Sequence, residues 1–308
     1  MGEKSALVVE GGGFKAAFTA GILDAFISKD YDPFEIYVGV SSGAMNLSSY
    51  VSKQYKRNIN IIQDVASNSN FLSIFRYMKG GDYMDLNFLI EEGNKKNPLK
   101  IKKAIQNTKN KKLVIVATNM GNGKPVYLEP SLKNWKKYLK ASSSLPLITS
   151  GYCEIDSKKL LDGGLSDPIP AKQAYKMGAN KIIVLRTHPT DFVSDRTLTD
   201  ILGPKFYDKQ KEFQDMLYHH PEIYNADAKF LNFPPKGLKV YQIAPDKNLK
   251  TTLIKHSKES IEFDYRYGLE KGLDFIMSTL SFKTTYKTKK RNRWMDKFQS
   301  VIFSKSNW

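Results

Sequence analysis

An α/β fold built on a mostly parallel sheet is predicted by three observations. Five short apolar runs rich in β-branched residues recur along the chain, helix-patterned segments separate them, and glycine-rich turns stand where runs give way to helices. The runs are ALVVE (6–10), IYVGV (36–40), KLVIVAT (112–118), KIIVLR (181–186) and LKVYQIAP (238–245). Each is nearly continuous in apolar residues, as a strand covered by helices on both faces must be. Between the first two, AAFTAGILDAFISKD puts Phe18, Ile22 and Ala25-Phe26 at helical spacing, giving a strand-helix-strand unit. Beyond position 42, GAMNLSSYVSKQ continues as a second helix. Residues 71–111 are mixed in pattern and rich in Lys and Asn, and are expected to form a helical cap or lid. Further helices are expected at 171–177 and 258–276.

The chain has 308 residues, enough for a substantial core, and its 41% hydrophobic content fits a globular protein. Cys153 is the single cysteine, so no disulfide framework or thiolate metal cluster is possible; the four histidines show no ligand spacing, and no metal or cofactor is expected. MGEKSALVVE lacks an apolar signal core, Ala6 stands where a myristoylation motif wants Ser or Thr, and no run is long enough to span a bilayer. A reducing cytoplasm is the expected location.

Charge is the strongest compositional signal, with 48 Lys+Arg against 31 Asp+Glu, a formal +17. Such a field favours anionic partners. Only seven of the basic residues are arginine, the side chain that reads base edges, so no nucleic-acid partner is expected. Residues 283–308 hold eight Lys/Arg and one Asp. A helix over 291–303 would align Trp294, Phe298, Val301 and Ile302, the pattern of an interfacial helix for peripheral contact with anionic membrane; docking on the protein's own body is the alternative.

Three stretches carry candidate chemistry. Gly39-Val40-Ser41-Ser42-Gly43 matches Gly-x-Ser-x-Gly at the end of a predicted strand and the start of a helix, the setting of a nucleophile on a sharp turn. Glu10-Gly11-Gly12-Gly13-Phe14-Lys15 follows the first strand; its bare N–H groups at a helix start suit an oxyanion. Gly11-x-Gly13-x-x-Ala16 also fits a dinucleotide fingerprint, but IYVGV does not end in the acidic residue that reading needs. GNGKP (121–125) has proline where a phosphate-binding loop needs Ser or Thr. A serine needs a base. His188, His219, His220 and His256 all lie in undistinguished settings, whereas LLDGGLSDPIP (160–170) brings Asp162 out of an apolar run onto a tight turn.

Together GGGFK, GVSSGA and DGG, with ASSSLPLI (141–148) and DPIP beside the last, resemble patatin-like phospholipases over residues 6–173. The resemblance implies a three-layer sandwich, one hydrolase domain over 1–282, and a Ser–Asp dyad acting on a lipid ester. Residue by residue, Ser41 matches the nucleophile, Asp162 its partner, and Gly11, Gly12 and Gly13 the oxyanion loop. Lys15 stands at a usually basic position, a candidate anion contact. Ala16 replaces the usual glycine. A histidine-assisted α/β-hydrolase using His256 or the 219–220 pair, and a catalytically silent scaffold that binds lipid or protein, are the rival readings.

Overall fold

The computed structural model describes residues 2–149, 151–196, 203–207 and 209–279. The basic segment 283–308 and its boundary at 282 lie outside them.

Strands β1 (Ser5–Val9) and β2 (Ile36–Val40) are buried along their whole length. They occupy the middle of an eight-stranded sheet with β3 (Lys112–Asn119), β4 (Pro125–Leu128), β5 (Cys153–Ile155), β6 (Lys158–Asp162), β7 (Lys181–Leu185) and β8 (Lys239–Ile243). The order is β5-β6-β3-β2-β1-β7-β8, with β4 paired to β3. The five strands predicted from apolar runs are the parallel ones, β3-β2-β1-β7-β8. The other three pair antiparallel and make the sheet mixed.

Strand alternation divides the core between the two faces. Leu7, Val9 and Ile115 pack under Phe18 and Ile22 of α1 (Ala16–Ser28), Leu47 of α2 (Ser42–Val51), and Trp135. Ala6, Val8 and Val116 face the other way, toward elements that follow Asp162 in the chain, including Ile169, Ala171, Tyr224 and Leu231. That is the three-layer sandwich. Between α2 and β3 the chain forms α3 (Arg57–Ile61), α4 (Ile74–Met78), α5 (Leu86–Lys96) and α6 (Ile101–Asn107). Ile59, Phe71, Met84 and Leu89 from this region make a separate core with Phe14 and Ile261. The remaining α-helices among the described residues are α7 (Trp135–Ser142), α8 (Ala171–Lys176), α9 (Lys211–Tyr218), α10 (His220–Asn232) and α11, over 258–279. Among the described residues no helix is long and apolar enough to cross a membrane.

Candidate active site

Ser41 and Asp162 are 121 residues apart, and the register of β3 brings them together. Val40, the last residue of β2, lies opposite Val116, and Asp162, the last of β6, lies opposite Ala117. Since β4 pairs with both Val116 and Ala117, β2 and β6 share the other edge of β3 and end on consecutive rungs. Ser41 Oγ donates to Asp162 Oδ2 at 2.6 Å. The second carboxylate oxygen accepts from the Gly164 N–H at 2.7 Å, which fixes the carboxylate plane. Asp162 is 3% exposed. Burial raises its carboxyl to about 6, against the lowering effect of the Ser41 and Gly164 hydrogen bonds.

Ser41 sits between β2 and α2 with φ 53° and ψ −129°, a backbone state that L-residues adopt only under constraint. The constraint comes from ASSSLPLI. Ser142 Oγ accepts from the Ser41 N–H at 2.8 Å and donates to the Val116 carbonyl at 2.5 Å. Two residues on, the Ser144 carbonyl accepts from the Asp162 N–H at 2.7 Å. One serine run at the end of α7 therefore holds the backbone of both residues. The hydroxyl between them, on Ser143, is buried without a hydrogen-bond partner among the described residues, as is that of Ser42.

The glycine loop meets the Ser41 turn at van der Waals distance. A Cβ on Gly11 would lie 3.0 Å from Ser41 Cβ, and one on Gly43 would lie 2.4 Å from the Glu10 carbonyl oxygen. Gly13, at φ 59°, opens the turn that starts α1, and a Cβ there would strike the Leu253 carbonyl at 2.1 Å. The first N–H groups of such a turn have no intrahelical acceptors.

Beneath the loop lies a buried polar network absent from the sequence reading. Glu10 Oε2 accepts from Arg186 Nε at 3.2 Å and from the Thr187 N–H at 2.7 Å, and Tyr224 donates to Oε1 at 2.9 Å. Thr187 Oγ1 donates to the Gly11 carbonyl at 2.8 Å. The sequence signal was a charged residue ending each of two apolar runs, Glu10 in ALVVE and Arg186 in KIIVLR.

None of the remaining candidates hydrogen-bonds to Ser41 or to the Asp162 carboxylate among the described residues. Lys15 is drawn away: its ammonium lies 2.8 Å from His188 Nε2. Burial lowers the His188 imidazole to about 3, helped by Lys15 and Arg186, so the ring is neutral and accepts. His256 stacks on Phe14 at 3.8 Å, with Nδ1 2.9 Å from the Ile254 carbonyl. His219 contacts the Asp215 carbonyl, and His220 the Gly164 carbonyl at 3.1 Å, behind the Asp162 turn.

Ser41 opens onto a cavity of about 1070 Å³, the space at its mouth included. Its walls are predominantly apolar, with Phe14, Met45, Ile62, Phe71, Leu89 and Leu145 among them. Ser42 and Ser143 are among the lining residues, but their hydroxyl oxygens are closed off from solvent.

Comparison with known proteins places these features. A family model described as patatin-like phospholipase matches residues 7–175, and a domain of unknown function, DUF6363, matches residues 210–283. The uncharacterized protein YjjU of Escherichia coli (strain K12) is 29% identical over 281 residues, covering 88% of this chain and 76% of its own. Among solved structures, VipD from Legionella pneumophila aligns with a TM-score of 0.46 and 12% identity, over 90% of this chain and 67% of its own. The type III effector protein ExoU aligns at 0.40 and 10%, over 90% of this chain and 53% of its own.

Proposed function

We propose that this chain, which belongs to the patatin-like phospholipase family, hydrolyses carboxylic ester bonds of lipids through Ser41 and Asp162. The observation that carries this reading is the 2.6 Å hydrogen bond from Ser41 Oγ to a buried carboxylate, at the wall of a large apolar cavity. As Ser41 Oγ attacks the ester carbonyl, its proton passes to Asp162 Oδ2 and the carbonyl oxygen becomes an oxyanion. N–H groups of Gly11, Gly12 and Gly13 stabilise that oxyanion, each donor being worth roughly 3–4 kcal/mol in such a role. Collapse expels the alcohol, which takes the proton from Asp162, and leaves an acyl group on Ser41. Water then loses a proton to Asp162 and attacks the acyl-enzyme; as that intermediate collapses, Asp162 returns the proton to Ser41 Oγ, and the fatty acid leaves.

An ordinary carboxylate, with a pKa of about 4, is a weak base at pH 7. Burial makes Asp162 a better base than that, while a value near 6 still leaves it ionised at pH 7. The apolar walls suit a fatty acyl chain. Intact mass after a fluorophosphonate probe tests the reading. One adduct is expected on the wild type and none on Ser41→Ala; an unmodified, folded wild type would favour the silent scaffold.

His256 lies against Phe14 with its Nδ1 on a backbone carbonyl, a structural setting. His256→Ala should retain ester hydrolysis within about fivefold, since a lost general base typically costs 10²–10⁴. A loss of that larger size would restore the histidine-assisted reading.

Ser142 should act through Ser41. Ser142→Ala removes the acceptor of the Ser41 N–H and leaves that donor buried. The turn then relaxes out of its strained conformation. The expected result is about a tenfold fall in kcat with KM unchanged, because 1–3 kcal/mol of positioning is lost. Steady-state kinetics on one lipid ester checks this, and an unchanged kcat would remove Ser142 from the assignment.

A further inference from the structure

Helix α4 presents four large apolar side chains to solvent. Ile74, Phe75, Tyr77 and Met78 are 54%, 76%, 47% and 77% exposed, and the helix buries none of its residues. The exposure is built into the fold. Arg76, the remaining residue, donates from Nε to the Asp82 carbonyl at 2.8 Å, and from its two Nη groups to Asn70 and Phe71 at 2.9 and 3.0 Å. Ser73 caps the helix by accepting from the Arg76 N–H, and the Gly81 N–H closes the other end on the Arg76 carbonyl. One guanidinium thus ties the segment into a rigid knuckle whose apolar side chains are held outward. Rigid exposure of this kind marks an interaction surface.

The base of the knuckle belongs to the cavity. Leu72 bridges to Met84, and Phe71 and Met84, its two buried ends, line the same space as Ser41. We infer that the 73–81 knuckle is a membrane-docking element whose partner is the surface of an anionic lipid bilayer. Phe75 and Met78 enter the apolar boundary, with the Tyr77 hydroxyl at headgroup level. Charge complements the choice: without residues 283–308 the chain still holds 40 Lys/Arg against 30 Asp/Glu, a net of +10. The inference rests on reading the cavity as an acyl site. It adds how a chain embedded in a bilayer comes near Ser41: the segment that enters the membrane springs from Phe71 and Met84, which are walls of the cavity.

The test uses the full chain and flotation with vesicles of phosphatidylcholine, with and without phosphatidylglycerol. Wild type should float with the anionic vesicles, and Phe75→Ser/Met78→Ser should bind at least tenfold more weakly. The double variant should hydrolyse a soluble short-chain ester like the wild type. Met78→Cys carrying a polarity-sensitive fluorophore gives a second readout, because Cys153, the other cysteine, is buried. Its emission should shift to the blue on anionic vesicles. Equal flotation of wild type and double variant, or an unshifted label, overturns the inference. So does a dimer by light scattering that the double variant abolishes, which would make the knuckle a self-association surface. Binding that depends on the knuckle in a chain inert toward every ester would sustain the docking surface and sink the hydrolase reading.

Discussion

Asp162→Asn is expected to lower kcat/KM for lipid esters by a factor on the order of 10³, the scale of a lost general base. Asparagine keeps the shape of the side chain and can still hydrogen-bond to Ser41 Oγ, so the 2.6 Å contact survives without a proton acceptor. Ser41→Ala should reach a similar floor. The double variant should be no worse than either single one, because groups that act as a unit do not add. Wild-type kcat/KM should rise about tenfold per pH unit below 6 and level off above it, as Asp162 ionises. Stability should run the opposite way. The folded-state value of about 6 lies above the ordinary 3.8, so the contribution of the neutral carboxyl is fully present below pH 4 and lost as pH rises through 6. That loss is on the order of 3 kcal/mol. Asp162→Asn escapes it, and should melt above the wild type at pH 8 but with it at pH 4. An active Asp162→Asn enzyme would dismiss the dyad; an unchanged melting temperature at pH 8 would dismiss the buried charge.

Most of what surrounds this pair was legible, and the reason is local. A buried parallel strand must be apolar on both faces, so β1, β2, β3, β7 and β8 announce themselves as unbroken runs, and the structure has them within about two residues of the predicted ends. Ser41 was visible for the same reason, since a glycine-flanked serine after such a run has few ordinary uses. The strands that went unseen are short, at three to five residues. β6 begins with two exposed lysines, and β5 has three residues. Yet β6 is what delivers Asp162, and its pairing to the last rungs of β3 is a contact between distant segments that no local pattern encodes. The serine run was noticed as a family resemblance, but its work depends on which hydroxyl faces Ser41. α9 and α10 were missed too: Phe213, Met216 and Leu217 do stand at helical spacing, but over a helix of only eight residues, and the buried face of α10 includes Pro221 and Asp227.

The least legible part of the site should have the largest effect on stability. Arg186 is fully buried and Glu10 nearly so, joined through Arg186 Nε at 3.2 Å. Arg186→Met leaves the Glu10 carboxylate with the Tyr224 hydroxyl and the Thr187 N–H, and with no cation hydrogen-bonded to it among the described residues. Stranding a buried charge in this way costs roughly 3–5 kcal/mol. For a domain of this size that is a fall of about 10 °C in melting temperature, readable by scanning calorimetry at pH 7. Glu10→Gln/Arg186→Met removes both charges and should recover most of the loss, because the desolvation cost disappears with the attraction. Activity should follow a different course. Glu10 precedes Gly11, and Thr187, whose N–H bonds Glu10, also holds the Gly11 carbonyl. The double variant should therefore regain its melting temperature and still show a reduced kcat, since a neutral amide holds the loop less tightly than a carboxylate accepting charge-assisted bonds. A double variant as unstable as Arg186→Met would mean that the guanidinium acts by filling space. One restored in both stability and kcat would mean that the network carries the fold and leaves the glycine loop to position itself.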